Sequence, residues 1–169
     1  MHIHNSCFFI GHRDISEDYD APLLQTIETV IAENSISEFY VGNHGNFDRL
    51  AAQAVIEAKQ KHPNIRLYLV LPHPRRFLRL PADFDDAFYP PDLPRSRYSI
   101  VLANRYMVDH VRCLIACAYR TQSNSGRILQ YARARQEKGM LRVENLMQPL
   151  IEQAKKEAAA MSAAYWQEN

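Results

Sequence analysis

The residues most able to do chemistry fall in Gly42-Asn-His-Gly-Asn-Phe-Asp48, where Asn43, His44, Asn46 and Asp48 share seven positions with two glycines. Together they offer hydrogen-bond donors, a proton-accepting imidazole and a carboxylate. The preceding Phe39-Tyr-Val41 is apolar and β-favouring, the end of a buried strand. After the turn, Phe47, Leu50, Ala51, Ala54, Val55 and Ala58 recur at helical spacing and form one apolar stripe. The start of such a helix has free N–H groups and the positive end of its dipole, a seat for an anion. Gly42 and Gly45 are expected to turn the backbone through positive φ. Capping by Asn46 or Asp48 is the simpler role. Four polar side chains with two glycines exceed what a cap needs, so Gly42, Asn43, His44, Gly45 and Asp48 are read as ligand-binding.

Two other turns have the same character. Ser6-Cys-Phe-Phe-Ile10 is apolar on both faces, a central strand, and runs into Gly11-His12-Arg13. Arg13 is placed to fork onto a phosphate or carboxylate, or else to pair with Asp14, Glu17 or Asp18. Beyond the apolar run 112–119, Ser123-Asn124-Ser125-Gly126 is either a second phosphate-facing helix start or a simple serine cap. For hydrolytic chemistry, Asp48 or Asp109 would be acid or base with His44 or His12 assisting.

The elements that must position these groups alternate regularly. Strands are expected at 6–10, 39–41, 66–71, 112–119 and 140–143. Helices follow at 22–34, 47–62 and 99–110, with another after Gly126 that Gly139 closes as the residue past its cap. This predicts an α/β, Rossmann-like, doubly wound and mainly parallel five-stranded sheet. Residues 1–146 would form the domain. A further amphipathic helix at 147–169 would pack on the domain or on a partner subunit, making a homodimer. In such sheets ligands bind beyond the strands' carboxyl ends, where all three turns fall. Neither GxGxxG after the first strand nor GxxxxGK[ST] is present, so standard dinucleotide and P-loop sites are excluded.

The 169 residues suffice for one domain with a real core, and 47% hydrophobic with 23% charged residues argues against disorder. A net charge of +1 argues against nucleic acid as a partner. Cys7, Cys113 and Cys117 form neither a CxxC pair nor a disulfide framework and are read as core. No apolar run reaches membrane-spanning length and the start lacks signal-peptide features, so a cytoplasmic location is expected, with no membrane partner. His2 and His4 share a strand face but lack further ligands, and no metal site is assigned. The segment 73–97 is rich in proline, has arginines 75, 76, 79, 95 and 97, and carries Phe77, Phe84, Phe88 and Tyr89. Its aspartates (83, 85, 86 and 92) weaken a nucleic-acid reading, and a lid over the site or a partner-binding arm is expected.

Three motifs in order resemble the SLOG superfamily, and most closely its YpsA-like branch: Gly11-His12-Arg13, the run from Phe39 to Asp48 with Ala51-Ala52, and Arg105-Tyr-Met-Val-Asp-His110 before Leu114. The resemblance covers roughly 7–146. It implies a Rossmann-like domain that binds nucleotides or nucleotide-derived ligands, and in DNA-processing relatives single-stranded DNA. It also adds Arg105 to the ligand-binding set. Its phosphoribohydrolase relatives carry PGGxGTxxE, whereas this chain has Ser123-Asn-Ser-Gly-Arg127 and no counterpart of the catalytic glutamate. That departure argues against the same hydrolysis.

The reading is a small module binding a nucleotide-derived small molecule, a sensor or regulator with no other cofactor assigned. Hydrolysis of a nucleotide or N-glycosidic bond is one alternative, and a protein-interaction module without turnover is another.

Overall fold

The computed structural model describes residues 3–168. Six parallel strands form one sheet: β1 (Ile3–Gly11), β2 (Glu38–Val41), β3 (Arg66–Val70), β4 (Asp86–Phe88), β5 (Val111–Cys117) and β6 (Arg142–Asn145). Their spatial order is β4-β3-β2-β1-β5-β6. The chain therefore works outward from β1 on one side, then returns to lay β5 against its other edge. β1 is central because both of its faces are apolar. Cys7 and Phe9 point into one core layer, Phe8 and Ile10 into the other.

The helices divide between these layers. On the Phe9 side lie α1 (Asp20–Asn34) and α2 (Asn46–Lys61); on the Phe8 side lie α3 (Ser99–His110) and α4 (Asn124–Glu137). In α2 the buried residues are the six whose spacing defined the stripe. α4 ends as expected: Gly139 has φ +70°, its N–H donates to the Gln136 carbonyl at 2.9 Å, and the Met140 N–H donates to Arg135 at 3.1 Å.

The sheet has six strands rather than five. β4 lies inside the proline-rich segment, three residues too short to show alternation, in register with β3 through Tyr68↔Asp86 and Val70↔Phe88. Asp85 fastens it. Its carboxylate accepts from the Leu67 N–H at 2.8 Å, Lys59 Nζ at 2.6 Å and Arg66 Nη1 at 2.9 Å. Burial pushes this carboxyl up, but those three donors outweigh it and hold the pKa at about 2. At the other end of the arm between β3 and β4, the Leu71 N–H donates to the Phe88 carbonyl at 3.0 Å.

The last helix, α5 (Gln148–Glu168), does not pack across the domain. Its side chains are exposed from Glu152 to Gln167, Met161 and Trp166 among them. Among the described residues no helix is long and apolar enough to cross a membrane. Nor do any three of His, Cys, Asp and Glu group to hold a metal ion; His2 lies outside the described residues.

Two outcomes follow. Because Asp85 is held below its unfolded value of 3.8, it stabilises the fold above about pH 4. As pH falls through about 2 that contribution, about 2 kcal/mol, is lost. Urea titration at pH 7 and at pH 3 should show a smaller pH difference for Asp85→Asn than for the parent. Removing 153–169 should leave the unfolding free energy from urea titration unchanged within about 0.5 kcal/mol, as expected for exposed positions.

Candidate functional site

The turn after β2 is sewn to the turn after β1. The Asn46 N–H donates to the Arg13 carbonyl at 3.0 Å, and the Asn46 side chain donates to the Ile15 carbonyl. Gly45 caps α2 with φ −170°, ordinary extended backbone, and neither it nor Gly42 has the positive φ expected from the sequence. What glycine supplies is room. A Cβ on Gly45 would stand 2.7 Å from the Arg13 Cα, and one on Gly42 would stand 3.0 Å from Asp48 Oδ2. Asp48, in the first turn of α2, folds back so that its carboxylate accepts the His44 N–H at 2.8 Å and also the Gly45 N–H. Burial raises its pKa, opposed by those two N–H groups and by Arg13. Burial, then Arg13 and Arg75, lower the pKa of His44 and so favour its neutral ring.

The turns after β1 and β5 are joined in the same way. The buried His12 ring accepts the N–H groups of Tyr119 (2.9 Å) and Arg120 (3.1 Å) at Nε2, which places its proton on Nδ1. Ser125 Oγ donates to the Gly11 carbonyl at 2.7 Å. Ser123 caps α4, accepting from the Gly126 N–H at 3.0 Å. Gly126 leaves no room for a Cβ beneath the Arg120 carbonyl. Asp14 pairs with Arg120 and Glu17 with Arg49, so of the acids near Arg13 in sequence two are taken by other arginines. Arg13 itself makes no ion pair among the described residues.

Three spaces open on this rim among the described residues, the outermost a shallow one of about 360 Å³ between Arg13, Asp14 and Arg120 on one side and Ser123 and Asn124 on the other. Where the three turns meet, a crevice of about 70 Å³ is bordered by Gly11, Arg13, His44, Asn124 and Ser125, with Asn104 reaching in from α3. It has room for a few waters at most. Above β2 and β3 lies a cleft of about 530 Å³, in the range of small-molecule sites. Its floor is Gly42, Asn43, Gly45 and Asp48 with Ala52 of α2, and its roof is the arm from Arg75 to Phe84. Arg75, Phe77, Arg79 and Phe84 all line it, and Phe77 is 86% exposed. Arg75 and Arg79 make no ion pair among the described residues.

The expected residues therefore separate into groups. Gly42, Asn43, Gly45 and Asp48 share the cleft, and Gly11, Arg13, His44, Asn124 and Ser125 share the adjoining crevice. His12, Ser123 and Gly126 stand on the same rim, with their polar groups or space committed to the fold. Arg105 is elsewhere, stacked over Tyr131 at 4.4 Å on the outer surface of α3 and α4. Asp109 occupies the last turn of α3, beside the start of β5 and so at the sheet's opposite end, bound by Tyr131 and Arg135. It does not meet Asp48 or His44. The sequence shows the arginines and aromatics of the arm, but the aspartates interleaved with them hide which face the cleft.

No family model and no curated protein sequence matches the chain. Solved structures do. DNA processing protein A (DprA) from Streptococcus pneumoniae superposes with a TM-score of 0.60 at 15% identity, covering 89% of this chain and 56% of that one. The chain has the Rossmann-like fold of DprA. It spans about half the length of the S. pneumoniae protein. DprA from Helicobacter pylori, described for its single-stranded DNA binding mode, matches with a TM-score of 0.51 at 14% identity over 91% of this chain and 81% of that one. The SLOG resemblance holds at the level of the fold; the YpsA-like branch rests on the motifs alone. The expectation that nucleic acid is no partner is corrected, since a DprA of this fold is one that binds single-stranded DNA. The error was to use a whole-chain sum for a local question: Asp85 is turned away to Lys59 and Arg66.

His12 gives a pH test. Burial, then Arg120, lower its folded pKa below the ordinary 6.5, against a smaller opposing effect of Asp14. Its stabilising effect is complete above pH 6.5 and declines as pH falls, because the unfolded chain takes the proton first. Urea midpoints between pH 7.5 and 5.5 should fall less in His12→Gln than in the parent.

Proposed function

We propose that the chain is a small cytoplasmic module that binds a nucleotide or nucleotide-derived ligand in the cleft between the β2–α2 turn and the arm, as a sensor or regulator. The observation that carries this reading is the pairing of Arg75 and Arg79, neither with an acidic partner among the described residues, with Phe77 and Phe84 around one cleft. A guanidinium fork matches a phosphate in geometry and charge. Aromatic faces give a base a surface on which to stack. The glycine turn lets the backbone lie low enough to form the floor. The YpsA-like motifs support the same ligand class. The cytoplasmic setting agrees with three buried, unpaired cysteines.

A second reading is favoured by the H. pylori DprA neighbour and by the exposed Arg76–Phe77 pair, whose guanidinium lies 5.5 Å from the ring centroid at the cleft's mouth. On that reading the cleft holds one unit of a single strand and the arm touches the next.

Calorimetric titration with AMP, ADP-ribose, NAD and a short oligothymidylate separates the two. The double variant Arg75→Ala/Arg79→Ala should weaken the ligand that binds by tenfold or more, since each charge-assisted bond contributes roughly 1.5–3 kcal/mol. Unaltered affinity in that variant, or no binding of any of the four compounds, would reject the cleft as the site.

A further inference from the structure

Asp48 changes what this turn can hold. A strand–glycine turn–helix unit ordinarily presents its N–H groups and the positive helix end to an anion. Here Asp48 already stands in that position, accepting from His44 and Gly45 and lying against Gly42. A phosphate brought to the same place would meet a carboxylate and find two of its donors taken. Arg75 and Arg79, which make no ion pair among the described residues, are on the arm that roofs the same cleft. One cleft therefore has a carboxylate on its floor, beside an Arg49 already paired with Glu17, and two arginines in its roof.

An ionised carboxylate accepts hydrogen bonds and never donates them, and it has about four lone-pair sites. Two N–H groups leave capacity for neutral donors, of which a sugar's hydroxyls are the pair best matched to its two oxygens. We infer, resting on the nucleotide reading above, that the ligand lies with its phosphate against Arg75 and Arg79 and its ribose hydroxyls on Asp48. The phosphate is thus held by the arm and not by the α2 terminus. The chemical class selected is a ribonucleotide, because a 2′-deoxy sugar offers Asp48 one donor fewer. Phe84, beside the cleft and packed on the α1–α2 layer, is then a wall for the base.

The test compares AMP, 2′-deoxy-AMP and adenosine by calorimetry on the parent, on Asp48→Asn and on Arg75→Ala/Arg79→Ala. In the parent, 2′-deoxy-AMP should bind about tenfold or more weakly than AMP, the loss expected for a hydrogen bond to a charged group. Asp48→Asn should erase that difference while keeping the preference of AMP over adenosine. The arginine variant should do the reverse. Equal binding of AMP and 2′-deoxy-AMP by the parent overturns the inference and leaves the nucleotide reading standing. Ribose preference surviving in Asp48→Asn overturns the assignment to Asp48. Failure of every compound to bind the parent overturns both. The parent comparison stands alone should Asp48→Asn not fold.

Discussion

The carboxyl rim of this sheet depends on backbone passing unusually close to other atoms. Gly45 lies beside the Arg13 backbone, Gly11 lies under the Phe47 side chain, and Gly126 sits beneath the Arg120 carbonyl. At each place a Cβ would stand closer than side-chain carbons are found. Hydrogen bonds then close the seams: Asn46 to Arg13, Ser125 to Gly11, and His12 to two successive N–H groups. The result is a rim whose loops determine one another's positions. A floor built this way is held in place by the fold itself.

Against that fixed floor stands a roof of different construction. The arm from Leu71 to Asp85 has little regular structure and rests on its two ends and on Phe84. Its charge is sorted by geometry. Asp85 faces Lys59 and Arg66 at the edge of the sheet, while Arg75 and Arg79 line the cleft. Sorting of this kind lets a chain with a net charge of +1 present a local basic surface.

The sequence disclosed whatever repeats over several turns or has a local chemical signature. The α2 stripe is strictly periodic, the two-sided apolarity of 6–10 marks a central strand, and Gly139 ends α4 with the bonds its type suggests. It disclosed less where the answer is set by distant partners. β4 exists because Asp85 and the edge of β3 hold three residues that have no pattern of their own. Asp109 looked catalytic in a motif, but α3 runs opposite to the strands and carries its last turn away from the rim. Gly42 and Gly45 are needed for a reason the sequence cannot express: what lies next to them belongs to another turn or to a side chain folding back. Ser123 took the plain capping role, and Asp48 a variant of it.

The β3–β4 crossover is the one connection between neighbouring parallel strands in this sheet made without a helix, and both of its ends are anchored to β-structure. Lengthening a flexible span between fixed ends costs little, about 0.6 kcal/mol for each doubling. The stretch 74–81 is accordingly the part of the molecule that insertion, deletion or exchange can rewrite while the sheet stays as it is. The roof of the cleft and the sheet beneath it are encoded in separate stretches of the chain, which makes this scaffold suited to diversification by grafting.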